Sequence, residues 1–184
     1  MNWSEYLELS EKTLSLQFNA EDQKDQKILH AVIGILTEIE ELLDNYTTET
    51  PDFTNILEEI GDVQWYLSIL GREFELDYPQ VIIKEKNSNP EKLVLKMIKN
   101  TCKILDFLKK KIYYNKPIDE NLFKTITTLI MLDLSDYMNC YDIDAEKCFD
   151  VNIAKLKARY GDKFSSERAI NRDLQTERNI LENN

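Results

Sequence analysis

Apolar residues in this chain recur at three- and four-residue steps through long stretches, the mark of helices that bury one face. Ile28, Val32, Ile35, Ile39, Leu42 and Leu43 form one stripe inside a helix predicted over 25–45. The polar run Tyr46-Thr47-Thr48-Glu49-Thr50-Pro51 ends it. A second stripe, Ile56, Ile60, Val63, Leu67 and Leu70, belongs to a helix that Asp52 or Thr54 caps and that fades near Glu75. Shorter amphipathic helices are predicted over 3–17 and 77–87. Asn87-Ser88-Asn89-Pro90 makes the clearest internal break, with Pro90 suited to the first turn of a helix over 91–114 and Glu91 favouring its positive end. Asn115-Lys116-Pro117 separates that helix from one over 119–139. Asp144 opens the next, which runs through Tyr160 and stops at Gly161, and Ser165 or Ser166 caps a last helix.

With only 4 Gly and 4 Pro in 184 residues, little interrupts these periods. The expectation is an all-α chain, a compact bundle of about five to seven helices without a sheet. Residues 1–184 are read as a single domain, with parts at about 25–75, 91–139 and 144–184. The two halves share a faint pattern of long helix, turn and long helix. Laying 36–44 over 98–106 sets Glu38 against Asn100 and Glu41 against Lys103, and Glu59 and Asp62 then fall against Thr125 and Thr128. Either a diverged internal duplication has lost its second set of carboxylates, or two ordinary helical hairpins share this much pattern.

Off the apolar stripes lies the candidate chemistry. Wound at about 3.6 residues per turn, His30, Gly34, Glu38 and Glu41 share one face of the first long helix. Glu59, Asp62 and Tyr66 share a face of the second. Helices joined by a short connection pack antiparallel, so the two carboxylate pairs can converge. No Lys or Arg lies at helical spacing beside them, and four carboxylates in a poorly solvated cleft repel strongly. A hard divalent cation removes that repulsion; magnesium suits oxygen ligands and bridges to phosphates, with manganese as a substitute. An acidic face simply left in water is the bland alternative. A di-iron carboxylate bundle needs Glu-x-x-His motifs, and the one histidine, His30, is not in such a motif. On this basis Asp62→Asn is expected to relieve repulsion, leave the fold no less stable and abolish metal-assisted chemistry.

A net charge of −11 argues against affinity for nucleic-acid backbones or anionic lipid. Cys102, Cys140 and Cys148 are odd in number and make no CxxC pair, which fits neither a disulfide framework nor a zinc site. The first residues do not resemble a secretory leader, and no apolar run approaches the about 18 residues that span a bilayer. A cytoplasmic protein without membrane or nucleic-acid partners is therefore expected.

The pattern ExxE (Glu38, Glu41) followed by ExxD (Glu59, Asp62), within Glu-Glu-Ile-Gly-Asp-Val-Gln-Trp-Tyr-Leu, resembles the MazG-like all-alpha nucleoside triphosphate pyrophosphohydrolases. Asn152-Ile153-Ala154-Lys155-Leu156-Lys157-Ala158-Arg159-Tyr160, Phe164-Ser165 and Ala169-Ile170-Asn171-Arg172-Asp173 are similar to the C-terminal signature of bacterial and phage members. The resemblance covers about 27–70 and 150–173. It implies the MazG-like helical fold and a magnesium-dependent reaction of a ribo- or deoxyribonucleoside triphosphate with water, giving the monophosphate and pyrophosphate. Glu38, Glu41, Glu59 and Asp62 would hold the metal, with Glu38 or Glu41 orienting the attacking water. Asn152, Lys155 and Arg159 share a helix face suited to phosphate oxygens. Trp65, Tyr66 and Asn152 are candidates for contacting the nucleoside, and His30 and Tyr160 complete the expected substrate contacts. The resemblance also implies a homodimer or higher assembly, although 90–139 departs from the compact family pattern and could complete the bundle within one chain. A nucleotide-sensing module with negligible turnover and a non-enzymatic helical interaction protein are the alternative functions.

Overall fold

Each described helix begins at a side chain that accepts a hydrogen bond from a backbone N–H of the first turn, satisfying a donor that the helix itself leaves unpaired. The computed structural model of the protein describes residues 18–20, 22–46, 50–79, 89–161 and 164–183. Among these, Asp22 caps α1 (Gln23–Asp44), Asp52 caps α2 (Phe53–Phe74), Asn89 caps α3 (Pro90–Tyr114) and Asp119 caps α4 (Glu120–Cys140). Asp144 caps α5 (Ala145–Tyr160), Ser165 caps α6 (Ser166–Ile170) and Asp173 caps α7 (Leu174–Glu182). No strand occurs among the described residues, and no described helix is long and apolar enough to cross a membrane.

Helices α1 and α2 form one hairpin and α3 and α4 another, with α1 packed on α3 and α2 packed on both α4 and α5. The short α6 and the helix α7 fold back over α5, and α7 also reaches α2. The predicted stripes meet in one core: Ile28, Val32, Ile35, Ile39 and Leu42 from α1, and Ile56, Ile60, Val63, Leu67 and Leu70 from α2, are all buried. Each such side chain stabilises the fold by about 1.5–3 kcal/mol relative to exposure. Phe74 stacks on Phe123 at 4.4 Å, joining the two hairpins. Tyr46 bonds the hydroxyls of Tyr137 at 3.2 Å and Tyr141 at 2.9 Å.

Three expectations change. Leu43 is only half-buried, at the edge of the stripe. Residues 77–79, at the start of a predicted helix, are not helical: α2 ends at Glu75, whose left-handed backbone (φ 55°, ψ 51°) turns the chain away. The rest of that segment and the predicted helix over 3–17 lie outside the described residues. The single last helix is instead two, because Asn171 and Arg172 leave the helical path before Asp173 starts α7. The positions of α3 and α4 that pair with the carboxylates of the first hairpin do other work. Lys103 donates to Asn100 at 3.2 Å, and the Thr125 and Thr128 hydroxyls donate to carbonyls one turn back.

Candidate functional site

The hairpin of α1 and α2 sets carboxylates side by side because each helix commits its apolar stripe to the core and leaves the adjoining face turned toward its neighbour. Carboxylate oxygens of Glu38, Glu41 and Glu59 all lie within 4.8 Å of one another. Their surroundings grade from wet to dry: Glu41 is exposed, Glu38 half-buried, and Glu59 only 4% exposed. Burial above all, then a hydrogen bond with Glu38 and the charges of Glu41, Glu38 and Asp62, push the Glu59 carboxyl up to about 10. Burial likewise raises Glu38, against the lowering effect of its bond with Glu59. Both effects favour the uncharged form of this pair when no cation is bound. An oxygen-only donor set with one solvent-facing member fits a hard cation that keeps some of its water, and such an ion would take the place of the pair's proton.

Asp62 stands outside this trio. Asn152 Nδ2 donates to its Oδ1 at 2.7 Å and Lys155 Nζ donates to its Oδ2 at 2.6 Å. Lys155 also reaches Glu58 Oε1 at 3.1 Å, and its side chain has 0% exposure. Gly61 permits this approach of α5 to α2, since a Cβ there would lie 2.9 Å from Asn152 Nδ2 and 3.0 Å from Asn152 Cβ. Lys155 and Asn152, expected to face substrate, are thus buried partners of Asp62 beneath the cleft. Helical spacing along α1 and α2 shows no neutralising cation because the cation comes from a third helix. For the same reason Asp62→Asn removes a partner from a buried ammonium, and the expectation that it leaves the fold no less stable is reversed.

Above these groups opens a cleft of about 730 Å³. Glu38, Glu41, Glu59 and Asp62 line it, together with His30, Trp65 and Tyr66 from α1 and α2 and Arg159 and Tyr160 from α5. The ring of Tyr66 lies where a side chain at position 34 would start, for a Cβ on Gly34 would be 2.2 Å from Tyr66 Cζ. His30 and Trp65 each meet that ring edge to face, at 5.5 and 4.9 Å between centroids. Burial and the nearby charge of Glu38 hold the Tyr66 phenol above its ordinary range, so its O–H is kept as a donor.

Arg159 stands over Tyr160 at 5.6 Å and is gripped from behind by Glu177. Arg159 Nε and Nη2 donate to the two Glu177 oxygens at 2.9 and 2.5 Å. Arg172 Nε and Nη2 donate to Glu177 Oε2 at 3.2 and 2.6 Å, and Nη2 also lies 3.3 Å from Glu58 Oε1. Burial alone would raise the Glu177 carboxyl, but the Arg159 and Arg172 guanidiniums outweigh it and hold it at about 2. Glu58, Arg172 and Glu177 were not among the residues expected from the sequence. No helical period joins them: Arg172 sits in the non-helical link between α6 and α7, and its partners are 114 and 5 residues away.

Comparisons of this chain with protein-family models, curated proteins and solved structures return no match.

Proposed function

We propose that this protein hydrolyses nucleoside triphosphates to the monophosphate and pyrophosphate with magnesium or manganese, as the resemblance to MazG-like pyrophosphohydrolases implies. The observation that carries the reading is the Glu38, Glu41 and Glu59 trio, with its buried raised carboxyl, on the wall of a cleft of about 730 Å³ that also presents aromatic rings and guanidinium groups. That volume falls in the range of small-molecule sites, about 300–1,000 Å³. The chemistry a bound magnesium ion supplies is neutralisation of phosphate charge and a lower pKa for a nearby water.

The chain's own groups divide the remaining tasks. Glu41, open to solvent, or Glu38 orients the attacking water and accepts its proton as oxygen bonds to the α phosphorus and the bond to the bridging oxygen of the β phosphate breaks. Arg159 offsets the charge gathering on the departing pyrophosphate. Trp65 and Tyr66, braced by His30, offer flat apolar surface to the base. Lys155 and Asn152 act through Asp62, fixing its carboxylate at the rim of the trio.

One observation favours a second reading, a nucleotide-binding module with negligible turnover: Asp62 is held by Lys155 and Asn152 and leaves three carboxylates for the ion. A panel of triphosphates incubated with and without magnesium separates the two, with pyrophosphate and orthophosphate measured apart. Hydrolysis predicts pyrophosphate alone; a sensor binds nucleotide without releasing either. The family reading also carries a homodimer or larger assembly. Light scattering that reports only monomer at micromolar concentration would favour a bundle completed by α3 and α4 of the same chain.

A further inference from the structure

The cleft that holds the trio of carboxylates is also lined by members of a chain of alternating charges. Asp62, Lys155, Glu58, Arg172, Glu177 and Arg159 follow one another in ion-paired contact, anion and cation in turn, from α2 through α5 to α7. Its three cations differ in reach. Lys155 has 0% side-chain exposure, Arg159 12% and Arg172 36%, and only the two arginines line the cleft. An anion entering the cleft therefore meets Arg172 and Arg159, with Lys157 also on the lining, and not Lys155.

We propose that Arg172 and Arg159 together form the subsite for the two terminal phosphates of the substrate, with Glu177 as the positioning residue that holds both guanidiniums there. The inference rests on the triphosphate reading, since cleavage at the α phosphorus puts that phosphate beside the carboxylates and sends the β and γ phosphates toward the two arginines. Glu58 and Glu177 offset the charge of the guanidiniums, so their hold on a phosphate comes from directed N–H donors rather than from an excess of positive charge. Planar forks match phosphate oxygens in bidentate fashion. Because Glu177 already fixes both, little side-chain freedom is lost on binding. Local sequence sets up the arrangement: Asp173 caps α7 through the Thr176 N–H, which leaves Arg172 on the preceding link, and Arg178 anchors the same helix to Asp52 at 2.8 and 3.2 Å.

Inorganic pyrophosphate, titrated calorimetrically into the magnesium-loaded protein, probes this subsite, and a nucleoside monophosphate is the control. Arg172→Gln is expected to weaken pyrophosphate binding at least about tenfold and monophosphate binding less than about twofold. Arg172→Lys, which keeps the charge and loses the fork, should fall between wild type and Arg172→Gln. Glu177→Gln should also weaken pyrophosphate, although it adds positive charge, because the guanidiniums lose their common anchor. For triphosphate turnover, Arg172→Gln should raise KM and lower kcat together, because the same fork that binds the terminal phosphates meets the charge gathering on the departing pyrophosphate. Wild-type protein that does not bind pyrophosphate, unchanged affinity in Arg172→Gln, or an equal loss for the monophosphate would overturn the subsite, and tighter binding in Glu177→Gln would overturn the role of Glu177. If wild type hydrolyses nothing yet the pyrophosphate arm behaves as expected, the anion subsite stands and the hydrolytic reading falls.

Discussion

Lys155 places its ammonium 2.6 Å from Asp62 across the α2–α5 interface, with no exposure of the lysine side chain to solvent. Asp62→Asn keeps the shape but leaves one acceptor oxygen where two donors converge: with that oxygen on Lys155 the new NH2 opposes Asn152 Nδ2, and with it on Asn152 the ammonium faces the new NH2 and keeps only Glu58, 3.1 Å away. Breaking one side of a buried pair is expected to cost about 2–4 kcal/mol here, less than a fully isolated charge because Glu58 remains. Urea unfolding in the presence of a chelator should show this loss in Asp62→Asn, and a double variant with Lys155→Met should lose less than the sum of the two. Unchanged stability in Asp62→Asn would contradict the ion pair as a structural element.

Glu59 predicts a pH dependence in the metal-free protein. Its carboxyl sits at about 10 in the fold against 4.5 ordinarily, through burial first and then the Glu38 hydrogen bond and the nearby carboxylates. The folded state holds the proton more tightly than the unfolded chain, so the contribution is full below 4.5 and is lost as pH rises toward about 10. Chelated wild type should therefore lose stability between pH about 6 and 9 relative to Glu59→Gln, whose amide carries no proton to release. Added magnesium should stabilise wild type more as pH rises, because the ion replaces the proton. Parallel stability curves for the two proteins would remove the raised carboxyl from the account.

Gly34 and Tyr66 offer a test of how the cleft wall is built. Alanine at position 34 would start 2.2 Å from Tyr66 Cζ, so the ring must leave its seat. Gly34→Ala is expected to raise the KM for a triphosphate several-fold, about 3 to 10 times, by displacing a ring that flanks the base. In a Tyr66→Ala background the same change meets no ring and should stabilise α1 by about 1 kcal/mol through helix propensity. A Gly34→Ala substitution that raises stability in both backgrounds alike would show that the ring does not occupy that space.

The helices were legible because each start carries its own chemical mark and each stripe repeats within one segment. Asp144, Pro90 and the Ile28 to Leu42 series say what they do without reference to distant residues. Glu38, Glu41 and Glu59 were legible for the same reason: helical spacing and a short hairpin are local facts, and they suffice to bring the three together. Lys155 was misread because its face on α5 can be derived from sequence while the depth of that face cannot; Gly61, which lets α5 sink against α2, gives no signal of its own. Arg172 stood within the C-terminal signature but was given no role, because it belongs to no period and meets Glu58 only after α6 and α7 fold back.

Glu59→Gln gives the most direct test, since it keeps the volume and the uncharged state of the buried group and removes the carboxylate that would ligate the ion as an anion. Pyrophosphate and orthophosphate should be measured separately for wild type, Glu59→Gln and Glu41→Gln on a mixed panel of triphosphates, with saturating magnesium and with chelator. Melting temperatures are taken on the same samples. Wild type is predicted to release pyrophosphate without orthophosphate, only when magnesium is present, and both variants to lose at least about 100-fold of that rate. Chelated Glu59→Gln should melt no lower than wild type. Wild-type turnover in Glu59→Gln at saturating magnesium, or no pyrophosphate from wild type with any triphosphate, would contradict a carboxylate-held magnesium ion as the basis of catalysis.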